Sequence, residues 1–177
     1  MNKYELYKLK VAGLSNEQVF RIVSYWEMNG DWPDLEKIAQ LAGCRNQALF
    51  IERYIRIDDQ ILREEFKEFD SISIMDEEYP EELLWMHNTP VLLFYEGNID
   101  LLKHPKIAVV GSRRCSRTGI HSVEKIINEL NNELVVVSGL AKGIDAASHY
   151  AAIRNGGKTI GVIGTGLDVY YPRCNKD

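Results

Sequence analysis

The chain has 177 residues, of which 45% are hydrophobic, enough for one full domain or for a small domain and part of another. The chain contains no run of about 18 apolar residues and no apolar N-terminal signal region, so neither a membrane span nor a secretory leader is expected. Cys44, Cys115 and Cys174 form no CxxC pair, which indicates reduced thiols and a cytoplasmic protein.

The formal net charge of −5 conceals an asymmetry along the chain. Residues 1–100 contain 10 Lys and Arg against 20 Asp and Glu, whereas residues 101–177 contain 11 against 6. Two interpretations are open. Either both halves simply have solvated charged faces, or only the basic second half meets a polyanion.

The N-terminal 70 residues have the pattern of a small helical bundle. Ser15 is a candidate N-cap with Gln18 at the capping-box position, and Gly30 is a suitable end for that helix. Shorter helices are predicted over residues 35–42, 47–57 and 59–69. In the last of these, the side chains predicted to point inward are Ile61, Leu62, Phe66 and Phe69. Such short amphipathic helices are not stable alone and should pack together.

The turn Gly13-Leu14-Ser15 before the first predicted helix also has two interpretations. It could belong to a hairpin motif that holds a DNA phosphate. Its surroundings are acidic, which favours a structural or partner-binding role for the helical domain instead.

Residues 72–177 are predicted to form an α/β domain. A short edge strand over residues 71–75 and a strong strand over residues 91–95 lead into it. Apolar, β-branched runs then cover residues 106–110, 134–137 and 159–163, and each ends at a glycine loop. Because the intervening segments are long enough for crossover helices, the runs predict a parallel sheet. They do not alternate polar and apolar residues, so both faces of the sheet should be covered.

The glycine loop after the first run has the residue types of an anion site. All three loops should lie at the carboxyl edge of the sheet, where open α/β sheets bind ligands. Gly111 permits close approach, the amides of Ser112 and Arg113 can face an anion, and the Arg113 guanidinium suits a phosphate. Arg114 and Arg117 either add to this site or are solvated. The order of residues is not the G-x-G-x-x-G dinucleotide fingerprint.

The second and third loops add amides, cations and aromatic rings. Asp145 and His149 share one helical face. With no third ligand evident, an N-cap aspartate supported by the histidine is favoured over an acid–base or metal pair. A tyrosine beside cations can stack a base and hold its phosphate, or it can simply pack the turn. The candidate contacts in these loops are Gly139, Lys142, Gly143, Gly164, Thr165, Gly166, Tyr171, Arg173 and Lys176.

Three segments in order, residues 106–113, 136–149 and 156–172, strongly resemble the DNA processing protein A family, DprA/Smf. Residues 79–80 and 90–97 fit the family's lead-in, and the N-terminal half is most similar to streptococcal-type members. The resemblance implies a small all-α domain similar to a sterile alpha motif (SAM) over residues 1–71. It further implies that residues 72–177 are the N-terminal part of an extended Rossmann-like DNA-binding domain.

The resemblance implies a single-stranded DNA-binding protein of natural transformation that protects incoming DNA and helps load the recombinase RecA. It implies a cytoplasmic protein without enzymatic activity or cofactor, which forms a homodimer in its full-length form. By position, Gly111, Ser112 and Arg113 match the loop that grips phosphate, Lys142 lines the same pocket, and Arg173 and Lys176 match its rim.

Family members continue past residue 177 with a further arginine-containing loop, more strands and the dimer surface. The resemblance therefore implies a truncated chain that lacks its dimer surface. On that basis we expect isolated residues 1–177 to be poorly soluble or partly unfolded, because apolar sheet faces and strand edges would be exposed. Residues 1–70 are expected to fold alone.

An alternative from another class is a nucleotide-processing hydrolase, since the sheet and its loops also resemble those of nucleoside-monophosphate phosphoribohydrolases. Such enzymes need carboxylates in the cleft. Asp145 and Asp168 are candidates, but no glutamate joins them in residues 134–177. The excess of cations favours a polymer as the ligand.

Overall fold

The computed structural model describes residues 2–130, 133–169 and 172. The chain divides into two compact units, Met1–Glu96 and Gly97–Asp177. The predicted boundary near residue 72 falls inside the first strand, which belongs to the first unit. As a boundary between domains, residue 72 stays a prediction. Among the helices of the described residues, none is both long and apolar enough to cross a bilayer.

The first unit combines helices with a two-stranded antiparallel sheet. Strand β1 pairs with β2 in a register that sets Asp70 opposite Tyr95 and Ser73 opposite Leu92. In chain order the elements are α1 (Lys3–Val11), α2 (Asn16–Asn29), α3 (Leu35–Leu41), α4 (Gln47–Arg56), α5 (Asp59–Lys67), β1 (Asp70–Ser73), α6 (Glu81–Leu84) and β2 (Leu92–Tyr95).

The helix caps explain where several of these helices begin. The Ser15 hydroxyl accepts from the Gln18 amide and the Gln18 side chain accepts from the Ser15 amide, so the predicted capping box is confirmed. Gly30 ends α2 in the left-handed conformation, as predicted. Helix α1, by contrast, has no counterpart among the predicted helices. Its sequence largely alternates polar and apolar residues, which is not the helical period, although Asn2 caps it through the Glu5 amide.

The core of the first unit lies between α1, α2 and α3. Leu6, Leu9, Val19 and Ile22 are fully buried there. Phe66 packs on Tyr7 and Phe94 and so joins α5 to α1 and β2. The prediction that Ile61 points inward is wrong, since 60% of it is exposed. Leu62, the next residue in α5, is buried instead.

A buried lysine ties α1 to α4 and α5. Lys8 Nζ lies 2.9 Å from Asp59 Oδ1 and 4.3 Å from the centre of the Tyr54 ring. The Tyr4 hydroxyl donates to the same carboxylate oxygen. The hydrogen bond from Tyr4, followed by that from Lys8, lowers the pKa of Asp59. The charge of Lys8 is therefore compensated where its side chain is buried.

The second unit contains a three-stranded parallel sheet in the order β3-β4-β5. Ile107 lies beside Val136, and Val137 lies beside Ile160. A short 3-10 helix over Ile99–Lys103 precedes the sheet. The elements are β3 (Lys106–Ala108), α7 (Arg117–Glu129), β4 (Val135–Ser138), α8 (Ile144–Arg154) and β5 (Thr159–Gly161). The predicted α/β fold with crossover helices is confirmed.

Both crossover helices lie on one face of this sheet. Helices α7 and α8 pack on each other, and Ile127 and Ala151 cover Val136. Two successive right-handed crossovers between neighbouring strands place their helices on the same side. On the other face of the central strand Val135 is buried and Val137 is half-buried, whereas Ala108 of the neighbouring strand is exposed. The prediction that both faces are covered is confirmed for the face that carries the helices and stays a prediction for the other.

Replacing Ile22 by alanine tests the core of the first unit. The side chain is fully buried, so the Ile22→Ala variant should lower the free energy of unfolding by about 2–5 kcal/mol. Met28 lies on the same helix but is 84% exposed, so Met28→Ala should change the free energy of unfolding by less than about 0.5 kcal/mol. Urea denaturation followed by circular dichroism measures both. Equal effects of the two substitutions would contradict the core assignment.

Candidate nucleic-acid interface

The ends of the three parallel strands meet at one edge of the sheet, as predicted. Ser138, at the end of the central strand, connects both neighbours. Its hydroxyl donates to the Val109 carbonyl at 2.6 Å, and its own carbonyl accepts from the Val162 amide at 2.8 Å. The three glycine loops consequently begin side by side.

The first and second loops are interlocked through their backbones. The Ile144 amide donates to the Ser112 carbonyl at 3.2 Å. Gly143 has a φ of +84°, and a Cβ there would lie 2.2 Å from the same carbonyl oxygen. A Cβ on Gly111 would lie 2.7 Å from the Ile144 side chain. Only glycine fits at positions 111 and 143, so the two loops hold each other in place.

The sequence did not identify Ile144 or Leu140 as part of this arrangement. Ile144 fills the space over Gly111. Leu140 has a φ of +54°, which is uncommon for a residue other than glycine, and it packs where a Cβ of Gly161 would lie. A glycine inside a predicted strand, as at position 161 of the run 159–163, is the signal that could have indicated a close approach.

Asp145 lies in the first turn of α8 and is not its N-cap. Gly143 occupies the cap position and provides no side chain for it, so the prediction of an N-cap aspartate is wrong. A Cβ on Gly139 would lie 2.9 Å from Asp145 Oδ2, so the buried carboxylate covers the start of the second loop. The helix starts at Ile144 because its amide is anchored on Ser112.

His149 supports the sheet through Thr159, which the sequence did not single out. The Thr159 hydroxyl donates to the Val136 carbonyl at 2.8 Å, so it accepts from His149 Nδ1–H at 2.5 Å. His149 Nε2 is buried and has no partner among the described residues. Burial lowers the pKa of His149, against the opposing effects of Asp145 and the Ser138 backbone. The neutral histidine thus has a structural role.

Exposed cations surround the two interlocked loops. Arg113, Arg114, Arg117 and Lys142 are all exposed, and in the described part of the chain none of them forms an ion pair. The Ser112 hydroxyl accepts from the Arg114 amide at 3.1 Å, which leaves its own hydrogen available as a donor. The arrangement offers uncompensated positive charge and hydrogen-bond donors to an anion.

The third loop is less suited to an anion than the first two. Gly164, Thr165 and Gly166 are exposed, and the Asp168 carboxylate lies 2.3 Å from where a Cβ of Gly166 would be. That negative charge opposes a phosphate at Gly166. The predicted contacts Tyr171, Arg173 and Lys176 lie outside the described residues, so they stay predictions.

No cluster of three or more histidine, cysteine or acidic side chains that could hold a metal occurs within residues 2–130, 133–169 and 172. Asp145 and Asp168, the candidate carboxylates of a hydrolase, lie in different loops. Asp145 is buried whereas Asp168 is exposed.

The fold defines an α/β protein of Rossmann-like type with its glycine loops at one edge of the sheet, preceded by a helical region similar to a SAM domain. A family model described as DNA recombination-mediator protein A matches residues 70–177, and one for the DNA processing protein A sterile alpha motif domain matches residues 1–62. The chain belongs to the DNA recombination-mediator protein A family, also called DprA, and the predicted family resemblance is confirmed.

Curated relatives and solved structures agree with this assignment. DNA processing protein DprA of Streptococcus pneumoniae is 58% identical over 176 residues, which cover 99% of this chain and 62% of the relative. Its X-ray structure superimposes with a TM-score of 0.97. DprA of Bacillus subtilis is 40% identical over 111 residues, or 59% of this chain and 36% of the relative. The chain therefore spans less than two thirds of these relatives.

A structure of DNA processing protein A from Helicobacter pylori superimposes with a TM-score of 0.50 at 28% identity, covering 61% of this chain and 49% of that one. It is described as showing that protein's single-stranded DNA binding mode.

The Gly143→Ala substitution tests the interlock. The added Cβ would meet the Ser112 carbonyl oxygen and alanine would be strained at a positive φ, so the variant should lose about 1–3 kcal/mol of stability. Gly119 is the matched control, because a Cβ there has only ordinary contacts at 3.6 Å or more. Gly119→Ala lies within α7 and should keep or raise the melting temperature. A stable Gly143→Ala variant would contradict the interlock.

Proposed function

We propose that this chain binds single-stranded DNA through the two interlocked loops at the carboxyl edge of its parallel sheet. The observation that carries the proposal is the group of exposed, unpaired cations around backbone donors that the glycines hold in place. In this proposal Gly111, Ser112 and Arg113 grip a phosphate, and Lys142 and Gly143 complete its surroundings. Arg114, Gly139 and the third loop contact neighbouring parts of the strand.

Charge and geometry both favour a polymer over a small nucleotide. Three arginines within residues 113–117 provide more positive charge than one small phosphate group needs. The cations are exposed and the loops form an edge, so successive phosphates of a strand can reach them. The Helicobacter relative, which is described as binding single-stranded DNA, supports the same choice.

We further propose the cellular role that the family implies. In that role the protein protects incoming DNA during natural transformation and helps load the recombinase RecA. It acts in the cytoplasm and without enzymatic activity, and the full-length protein forms a homodimer. The support is the family membership and the 58% identity to DprA of S. pneumoniae.

The ligand class is tested by comparing an oligonucleotide with a mononucleotide. A labelled 20-residue oligo(dT) should bind at least about tenfold more tightly than dTMP, because several phosphates and bases contribute to binding. Fluorescence anisotropy, with unlabelled dTMP as competitor, measures the ratio. Equal affinities, or release of free base from a nucleotide, would favour a hydrolase instead.

The role of Arg113 is tested by Arg113→Ala. A charge-assisted contact to phosphate is worth about 1.5–3 kcal/mol, so affinity for oligo(dT) should fall about tenfold or more. Each phosphate contact that is lost should also reduce the slope of log affinity against log salt by about 0.7. Arg113→Lys should recover only part of the affinity, because lysine keeps the charge without the planar guanidinium.

Arg117→Ala is the matched comparison, since it removes the same charge from the exposed first turn of α7 and should cost about 1 kcal/mol or less. Melting curves establish that each variant is folded. A folded Arg113→Ala variant with unchanged affinity and salt slope would refute the assignment of the phosphate site.

A further inference from the structure

A groove in the first unit has aromatic and aliphatic walls and one carboxylate. It has a volume of about 660 Å³ and is lined by Asn2, Glu5, Trp32, Pro33, Leu35, Ile38 and Tyr54. We call it the Trp32 groove. Its size is that of a pocket that receives a small ligand or the anchor side chains of a peptide. Pro33 and Ile38 are buried, whereas Trp32, Leu35 and Tyr54 are half-buried and therefore still offer apolar surface.

The Glu5 carboxylate gives this groove a negative charge. Glu5 Oε2 accepts from the Tyr54 hydroxyl at 3.0 Å, and within the described residues Glu5 has no ion-pair partner. The two lysines that flank Glu5 on the same helix already have partners, since Lys3 pairs with Asp76 at 3.2 Å and Lys8 with Asp59 at 2.9 Å. Burial and then the Glu5 carboxylate raise the pKa of Tyr54 well above its usual range.

The wider surface of the first unit has the same sign of charge. Residues 1–96 contain 10 Lys and Arg against 19 Asp and Glu. A polyanion such as DNA is repelled by such a surface, whereas a cationic partner is attracted to it. The combination of aromatic walls with an uncompensated carboxylate suits an apolar side chain that lies close to a lysine or arginine.

We propose that the Trp32 groove binds a basic segment of a partner protein. An apolar side chain of that segment fills the space between Trp32, Leu35 and Tyr54. A lysine or arginine next to it pairs with Glu5. The acidic unit thus recruits a protein partner, whereas the basic unit meets DNA.

The probe is a labelled 14-residue amphipathic peptide of leucine and lysine, compared with a twin in which glutamate replaces each lysine. The peptide with lysine should bind at least about tenfold more tightly than its twin, measured by anisotropy on the full 177-residue chain. Binding should shift the NMR signal of the Trp32 indole N–H. The indole signals of Trp26 and Trp85, which do not line the groove, act as internal references.

Glu5→Gln removes the charge and keeps an acceptor for Tyr54. It should weaken binding of the lysine peptide about fivefold, the effect of about 1 kcal/mol from a partly buried ion pair. Glu27→Gln makes the same charge change at an exposed site on α2 that does not line the groove, so its effect should stay within about twofold. Both variants should bind oligo(dT) with the affinity of the unsubstituted chain, which separates this site from the DNA site.

Equal weakening by Glu5→Gln and Glu27→Gln would overturn the proposal, because it would show attraction by net charge alone. An unmoved Trp32 signal, or equal binding of the glutamate twin, would do the same. A Trp32 signal that shifts with protein concentration in the absence of peptide would identify a second copy of the chain as the occupant and would also refute it.

Discussion

The hydrogen bond from the Ile144 amide to the Ser112 carbonyl, with Gly143 pressed against the same oxygen, fixes the geometry on which the proposed DNA site depends. It joins two loops that follow different strands, and it places the first turn of α8 beside Arg113. Gly143 is needed because the Ser112 backbone lies against it, and Gly111 is needed because the Ile144 side chain fills the space over it. The preorganised amides and the exposed cations then require little rearrangement to meet a phosphate.

The two units differ in the sign of their net charge and in whether their cations have partners. In the first unit the buried cation Lys8 is neutralised by Asp59 and lies over Tyr54. In the second unit Arg113 and Lys142 remain exposed and unpaired among the described residues. Compensated charge contributes to the fold, whereas uncompensated charge is available to a ligand. The acidic and basic surfaces therefore suit different kinds of partner.

The sequence predicted the elements better than their contacts. The capping box at Ser15 and the strand runs before each glycine loop are local patterns, so the structure confirms them. Helix α1 could not be recognised, since its buried residues include Lys8, which is acceptable there only because Asp59 is nearby in space. The exposure of Ile61 and the place of Asp145 in the first turn of α8 likewise depend on long-range packing. The interlock of Gly143 with Ser112 follows from strand order, which a single sequence does not specify.

The most direct test of this account is a map of amide chemical shifts in the ¹⁵N-labelled chain during titration with a short oligo(dT). We expect the largest changes at Ser112, Arg113, Gly143 and Ile144, together with the neighbouring cations. The amides of the acidic first unit should change little. Largest changes in the first unit, or at the opposite edge of the sheet near His104 and Lys158, would contradict a DNA site at the interlocked loops.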